Sequence, residues 1–214
     1  GFAPLYVVDG MFTDNINYLN ANDIESFEIL KDPSSLAIFG VRGANGVIIV
    51  TTKRAKMGQT VVNVNQSVGV KHVGHRMSLT NGPQFKELYN EQLSNMGGDP
   101  FDYTYYQANT DWQDLIFRTA ISHSHNVSVS GGLKNMPYRL SVVYNSSDGI
   151  VETSWMRRAN VGLSLSPSFF DNHLNLKINA KYMYEKDRYA DAGGAIGAAL
   201  SMDPTQPVYF DADD

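Results

Sequence analysis

Apolar and polar residues alternate in five separate runs between residues 60 and 185, a pattern that predicts five β-strands. Each run is about as long as a tilted strand that spans a bilayer. A soluble β-sandwich alternates in the same way, but its apolar faces pack against a second sheet. The runs are Thr60–Val73, Thr119–Ser130, Tyr138–Asn145, Arg157–Ser166 and His173–Glu185. In the first run Val62, Val64, Val68 and Val70 lie opposite Asn63, Asn65, Ser67 and Lys71.

Aromatic residues and connection lengths favour a membrane barrel over a soluble sandwich. The connection from Gly74 to about Arg118 is long and that from Gly131 to Pro137 is short, as in barrels with short periplasmic turns and longer outer loops. Aromatic residues gather at strand ends, as in an interfacial girdle. They are Tyr138, Tyr144, Trp155, Phe169, Phe170, Tyr182 and Tyr184.

The long connection, residues 74–118, has helical signals of its own. Thr80–Pro83 predicts the start of a helix that continues to about Asn95, and Asn109–Asp111 predicts the start of a shorter one from Trp112. Tyr103, Tyr105, Tyr106 and Trp112 are candidate ligand-binding residues because aromatic faces stack on sugar rings. The simpler interpretation is that they pack the loop against its own helix.

Residues 1–54 follow a different pattern, which predicts a small α+β unit. A strand at residues 4–8 ends at Asp9-Gly10, and a loop is expected from Met11 to Asn20. A second strand is expected at 24–30, and Asp32-Pro33 predicts a helix of about two turns. Val47–Thr52 is a dense β-branched run typical of a buried strand.

Three glycines at three-residue spacing, Gly40, Gly43 and Gly46, precede that last strand. Glycine enters conformations with positive φ without steric cost, so we expect a tight, packed junction here. A nucleotide-binding loop is a poor match, because its order is strand, glycine loop and then helix.

Taken together, three separated motifs resemble the plug domain of the SusC/RagA family of TonB-dependent outer-membrane transporters. They are PLYVVDG at 4–10, NDIESFEILKD at 22–32 and AIFGVRGANGVIIVTTK at 37–53. The resemblance implies the C-terminal half of a plug at residues 1–54, a linker at 55–59 and, at 60–214, the first of the antiparallel transmembrane strands of a 22-stranded plugged β-barrel. No signal peptide precedes the first strand, so the resemblance also implies a fragment.

For function, the resemblance implies TonB-dependent active import of oligosaccharides or peptides across the outer membrane, with the plug gating the lumen. The implied partners are the TonB complex, contacted through an N-terminal segment missing here, a SusD-like surface lipoprotein and outer-membrane lipid. Arg42 and Lys31 are candidates for ion pairs between plug and barrel. The residues expected to have structural or gating roles are Asp9, Gly10, Lys31, Asp32, Gly40, Arg42, Gly43, Asn45 and Gly46. The alternative is a soluble β-rich carbohydrate-binding or adhesin module.

Composition and candidate chemistry add little to this interpretation. The net charge of −5 gives no indication of a nucleic-acid partner, and the absence of cysteine excludes disulfides and thiolate metal sites. His123 and His125 share a face of a predicted strand, where interfacial histidines are favoured over metal ligands. The acidic end Asp211–Asp214 lacks the spacing of a calcium loop. We therefore expect no enzyme activity, no catalytic residue, no cofactor and no metal.

Overall fold

The computed structural model of the chain describes residues 4–54 and 57–209 and contains two compact units. The acidic end Asp211–Asp214 and two residues of the predicted linker lie outside these ranges. The first unit comprises the residues up to Val68, His123–Ser146 and Arg157–Lys186. The second comprises Gly69–Ser122, Ser147–Met156 and the residues from Asp187 onward.

The first unit contains a four-stranded sheet, here called the small sheet. Its strands are β1 (Leu5–Val8), β2 (Met11–Thr13), β3 (Ile24–Leu30) and β4 (Val47–Thr52), in the order β2-β1-β4-β3. β1 pairs with β4 in parallel, and the other two pairings are antiparallel. The prediction of a loop from Met11 was wrong for β2. Asp9 and Gly10 both have positive φ, 50° and 89°, which is the turn geometry that closes a two-residue hairpin.

A tight junction connects β3 to β4, as the glycine spacing predicts. Helix α1 (Pro33–Leu36) continues as a 3₁₀ segment, Ala37–Gly43. Gly40 has φ 58° and ψ −148°, and Gly46 has φ 95°. Four valines form the buried core beside this junction, namely Val7, Val8, Val47 and Val50.

A second sheet, the large sheet, has five strands in the order β11-β8-β7-β6-β5. Its strands are β5 (Val61–Lys71), β6 (Ala120–Leu133), β7 (Met136–Asp148), β8 (Trp155–Leu165) and β11 (Ile178–Arg188). All five predicted strands are present, but the last begins later than expected. β9 (Ser168–Phe169) and β10 (Leu174–Asn175) form a separate hairpin. Residues 170–172 have positive φ and turn the chain back, and Leu176 donates to the Pro167 carbonyl, so the run starting at His173 is split.

The large sheet buries polar side chains and exposes apolar ones, which is the reverse of the pattern in a water-soluble protein. In the first unit its buried side chains are mostly polar, including Asn126, Ser128, Ser141 and Asn160. Its apolar side chains are exposed, including Val64 at 58%, Val142 at 46% and Tyr182 at 65%. Among the residues that the structure describes, no further sheet covers this apolar face, as a soluble sandwich would require.

Within its described residues, the second unit contains three α-helices. α2 (Gly82–Asn95) begins with a capping box between Asn81 and Gln84, and α3 (Trp112–Ile116) is capped by Asp111, as the sequence predicts. α4 (Ala192–Ser201) was not predicted, because its glycines obscure the helical pattern; Asp191 caps it by accepting the Gly194 N–H. No helix within the described ranges is both long and apolar enough to cross a membrane.

Candidate functional site between the two sheets

The buried carboxylate of Asp9 joins the small sheet to the large sheet inside the first unit. The turn after β1 places this side chain against the end of β4, where Oδ1 accepts the Thr52 N–H at 2.9 Å and Oδ2 accepts the Thr52 hydroxyl at 2.6 Å. Lys181 of β11 donates to the same Oδ2 at 3.0 Å. The Asp9 side chain is only 2% exposed, so this ion pair is largely withdrawn from solvent.

The surroundings of Asp9 favour its ionised form. Burial by itself raises the pKa of the carboxyl, because it removes the charged form from water. The hydrogen bonds from Thr52 and the charge of Lys181 act in the opposite direction and outweigh burial. The pKa of Asp9 therefore lies below its usual value, and the carboxylate stays charged at neutral pH.

A second carboxylate, Asp23, makes an equivalent contact to β7. Its Oδ1 accepts from Arg139 Nη2 at 2.8 Å, and its Oδ2 accepts from the Ser141 hydroxyl at 2.8 Å. Both charged side chains are mostly buried, Arg139 at 11% and Asp23 at 18% exposure. The backbone carbonyl of Asp23 accepts the Lys53 N–H at 2.7 Å, which ties this loop to the end of β4.

The strand between these two contacts, β8, completes the attachment. Asn160 donates through Nδ2 to the Tyr18 carbonyl at 2.9 Å. Gly162, next along the same face, leaves room for the contact on β7. A Cβ at Gly162 would lie 2.8 Å from the Ser141 hydroxyl oxygen and 3.9 Å from Asp23 Oδ2. The turn and loop residues that flank the strands of the small sheet are thus bound to three neighbouring strands of the large sheet.

The predicted charged residues beside the glycine junction do not take part in this attachment. Within residues 4–54 and 57–209, neither Arg42 nor Lys31 pairs with a carboxylate; the guanidinium of Arg42 lies 6.0 Å from the centre of the Phe12 ring. In the part of the chain that the structure describes, the large sheet supplies no carboxylate to Arg42 or Lys31, and the ion pairs expected of these two residues stay a prediction. Asp32 accepts from the Ser34 hydroxyl, and Asn45 is exposed.

Sequence reasoning singled out Asp9 and Gly10 but missed the partners of Asp9 and the whole Asp23 contact. The sequence nevertheless contains a signal for these contacts. Arg139 and Lys181 fall on the polar face of alternating strands, and a buried cation requires a counter-ion. Asp23 lies within the motif at 22–32, directly before the strand predicted at 24–30. Which carboxylate meets which cation depends on how the two sheets pack.

The four candidate ligand-binding aromatics separate into packed and exposed residues. Tyr103 and Tyr106 pack on Phe101, with ring centres 4.8 and 5.6 Å away. Burial raises the pKa of Tyr103, and the nearby Asp203 charge adds to this effect. Trp112 donates to the Asp203 carbonyl at 3.0 Å, whereas Tyr105 is 88% exposed. Three of the four thus contribute to loop packing, and Tyr105 alone presents its ring to solvent.

The two histidines share a face, as predicted. His123 Nδ1 and His125 Nε2 are 3.2 Å apart, and the His123 ring lies 6.0 Å from Tyr144. No group of three or more potential metal ligands occurs in the part of the chain that the structure describes.

Comparisons with known proteins identify the architecture. The family model of the TonB-dependent receptor plug domain matches residues 1–47. The RagAB peptide importer in its open-open state matches with a TM-score of 0.76 and 24% identity, covering 88% of this chain and 25% of that one. The TonB-dependent receptor SusC of Bacteroides thetaiotaomicron is 46% identical over 220 residues, covering 98% of this chain and 22% of SusC. The chain belongs to the SusC/RagA family of TonB-dependent receptors.

Two further matches agree with this family. TonB-dependent receptor P26 of Formosa agariphila is 34% identical, covering 96% of this chain and 21% of P26. The closed-closed state of RagAB gives a TM-score of 0.75 at 25% identity, covering 90% of this chain and 25% of that one. The chain spans about a fifth of the length of the curated relatives it matches. The plug match runs from β1 to the first residue of β4. Residues 4–54, which contain the small sheet, are here called the plug portion.

Proposed function

We propose that this chain is the plug-and-first-strands portion of an outer-membrane transporter that imports oligosaccharides or peptides. The observation that carries the proposal is the inverted large sheet, with its polar face buried against the plug portion and its apolar face exposed. An apolar outer band and a polar interior are what a lipid bilayer and a wet lumen require of a barrel wall. Membership of the SusC/RagA family supports the same function.

In the proposed full-length protein, the large sheet is the first part of a 22-stranded barrel around the plug. TonB supplies energy from the inner membrane through a segment that precedes the plug. A SusD-like lipoprotein delivers ligand from the cell surface. We also propose that residues 1–54 belong to the plug, residues 55–59 form a linker and residues 60–214 begin the barrel.

The proposed gate is the attachment formed by Asp9 and Asp23. Each carboxylate belongs to the plug portion, and its cationic partner belongs to a wall strand. The partially buried ion pairs hold the plug portion against the wall while the transporter is at rest, because separating them leaves uncompensated buried charges. Import then requires these contacts to be broken or bypassed when TonB pulls.

The test removes both negative charges in the full-length protein, with the substitutions Asp9→Asn and Asp23→Asn. We expect the outer membrane of cells producing this variant to admit vancomycin, which intact outer membranes exclude by size. The control carries Asp14→Asn and Asp102→Asn, at two carboxylates without an ion pair among the described residues. Equal vancomycin exclusion by both variants, at equal outer-membrane levels, would contradict the gating role.

A second measurement tests transport itself. Deletion of the full-length gene is expected to abolish TonB-dependent growth on at least one oligosaccharide or peptide mixture. Unchanged growth on every such source would refute the import function, whatever the permeability assay gives.

A further inference from the structure

Two histidines near the start of β6 have ring nitrogens close enough together to bind one metal ion. His123 Nδ1 and His125 Nε2 are 3.2 Å apart, and the ring centres are 5.1 Å apart. The two residues are two positions apart on one strand, so their side chains project from the same face of the sheet. Alternation in the sequence gives this shared face but not the separation of the rings, so the sequence alone favours interfacial histidines.

The separation of the two nitrogens fits a chelated ion. The bond from a zinc ion to an imidazole nitrogen is about 2.0–2.1 Å long. Two such bonds to nitrogens 3.2 Å apart enclose an angle of about 100° at the ion. That angle lies between the roughly 90° of a square-planar copper(II) site and the roughly 109° of a tetrahedral zinc site. The two rings therefore need little movement to bind one ion together.

A metal ion also satisfies the proton requirement of the pair. At 3.2 Å the contact is a hydrogen bond only when one of the two nitrogens carries a proton and the other does not. With no proton the two lone pairs face each other, and with two protons the two donors face each other. A bound ion takes the place of the single proton and accepts both lone pairs. Neutral imidazoles are ligands that zinc, copper and nickel all accept.

The surroundings hold the rings in place without engaging them with another charge. The Tyr144 ring lies 6.0 Å from the His123 ring at an interplanar angle of 40°, which restricts the rotation of His123. Neither histidine is paired with a carboxylate among the described residues. Strand β6 contains no lysine or arginine, so no cation on the same strand repels an ion at this position.

The position of the pair on the sheet leaves such an ion accessible. The two rings are half-buried and share a face with Val127, which is 42% exposed. Because the protein supplies two ligands, water fills the remaining coordination positions. We therefore expect an open site that exchanges its ion readily, unlike a closed structural site with four protein ligands.

We propose that His123 and His125 form a chelating site for one divalent transition-metal ion. Copper(II) is expected to bind most tightly, and zinc and nickel more weakly at the same two nitrogens. The inference does not rest on the proposed import function, because the pair lies on the exposed face of the large sheet, opposite the face that contacts the plug portion.

The test is copper(II) binding by the purified full-length protein in detergent, without a polyhistidine tag. Equilibrium dialysis counts the bound ions, and electron paramagnetic resonance shows whether their ligands are nitrogen atoms. The variant His123→Gln with His125→Gln is expected to bind one copper ion fewer per chain than the parent protein. Heat-modifiable migration in gels verifies that every variant is folded.

Single substitutions test whether the two rings act together. A chelate needs both nitrogens, so His123→Gln alone and His125→Gln alone are each expected to lose the same ion as the double variant. The matched control is His72→Gln with His75→Gln, which removes two exposed histidines three residues apart. We expect the control to retain the full number of bound ions.

Each contrary outcome overturns the inference. An equal number of bound ions in the parent and the double variant means that the pair binds no metal. An equal loss in the control means that copper binds exposed histidines indiscriminately. Losses that add up, with one ion for each histidine, would show two separate sites. The dialysis is done without TonB or substrate, so its outcome is separate from those of the growth and permeability assays.

Discussion

At the scale of single residues, the three glycines of the junction are required for two different physical reasons. Gly40 and Gly46 have positive φ, a region that side chains with a Cβ rarely enter. Gly43 has an ordinary φ but is buried, and a Cβ there would lie 3.0 Å from Phe39 Cβ and 3.3 Å from Val47 Cγ2. The sequence predicts a tight junction, and the structure assigns a role to each glycine.

We therefore expect Gly43→Ala to destabilise the plug portion by about 1–3 kcal/mol, through overpacking against Phe39 and Val47. Gly74→Ala is the matched control, because no heavy atom lies within 4 Å of its added Cβ. Hydrogen exchange of the β4 amides in the full-length protein measures the difference. Equal exchange in the two variants would show that the junction relaxes without cost.

Asp9 gives a pH-dependent prediction at the same scale. Its folded pKa is below the ordinary 3.8, so the ionised carboxylate stabilises the plug contact above that pH, and this stabilisation is lost as the pH falls through the lowered value. Asp9→Asn should cost about 1–3 kcal/mol at neutral pH, through the hydrogen bonds to a charged group that it weakens. The difference in stability between Asp9→Asn and the wild type should become smaller as the pH falls. A cost that is independent of pH, measured by hydrogen exchange of β4, would contradict this assignment.

At the scale of elements, alternation along each strand divides the large sheet into two functional faces. The inner face supplies Arg139, Asn160 and Lys181 to the plug portion from β7, β8 and β11, which are consecutive in the sheet. The attachment is therefore distributed across three strands, and no single strand carries it.

A double-mutant cycle tests one of these contacts. Asp23→Ala and Arg139→Ala are expected to show a coupling energy of about 1–3 kcal/mol, since both side chains are mostly buried and share a network with Ser141. The control cycle is Arg76 with Asp114, whose side chains are 42% and 70% exposed, and we expect less than about 1 kcal/mol there. Thermal unfolding of the full-length protein provides the free energies. Similar coupling energies in both cycles would mean that burial does not strengthen the contact between Asp23 and Arg139.

At the scale of the whole molecule, the inverted burial of the large sheet decides which environment suits it. A continuous exposed apolar face is unfavourable in water and favourable in lipid. Val142 is exposed on this face, and Asn145, three residues further along β7, is predicted from the alternation to point inward.

Val142→Lys is expected to reduce the amount of heat-modifiable full-length protein in the outer membrane. A lysine on the lipid face costs up to about 2–4 kcal/mol, depending on depth, whereas Asn145→Lys enters a polar interior and should be tolerated. Quantitative gel analysis of washed outer membranes measures both variants. Normal yield of Val142→Lys would indicate that this face does not meet lipid.

The sequence by itself determined the presence of the five long strands of the large sheet, the capped helices α2 and α3, the glycine junction and the family, because these depend on local periodicity, turn chemistry and ordered motifs. It did not show β2 or the β9–β10 hairpin. Tertiary structure alone decided the contacts of Asp9 with Lys181 and of Asp23 with Arg139. It also decided the packing of Tyr103 on Phe101. Each of the two ion pairs joins residues distant in the chain, and alternation specifies the face of a strand without specifying the partner opposite it.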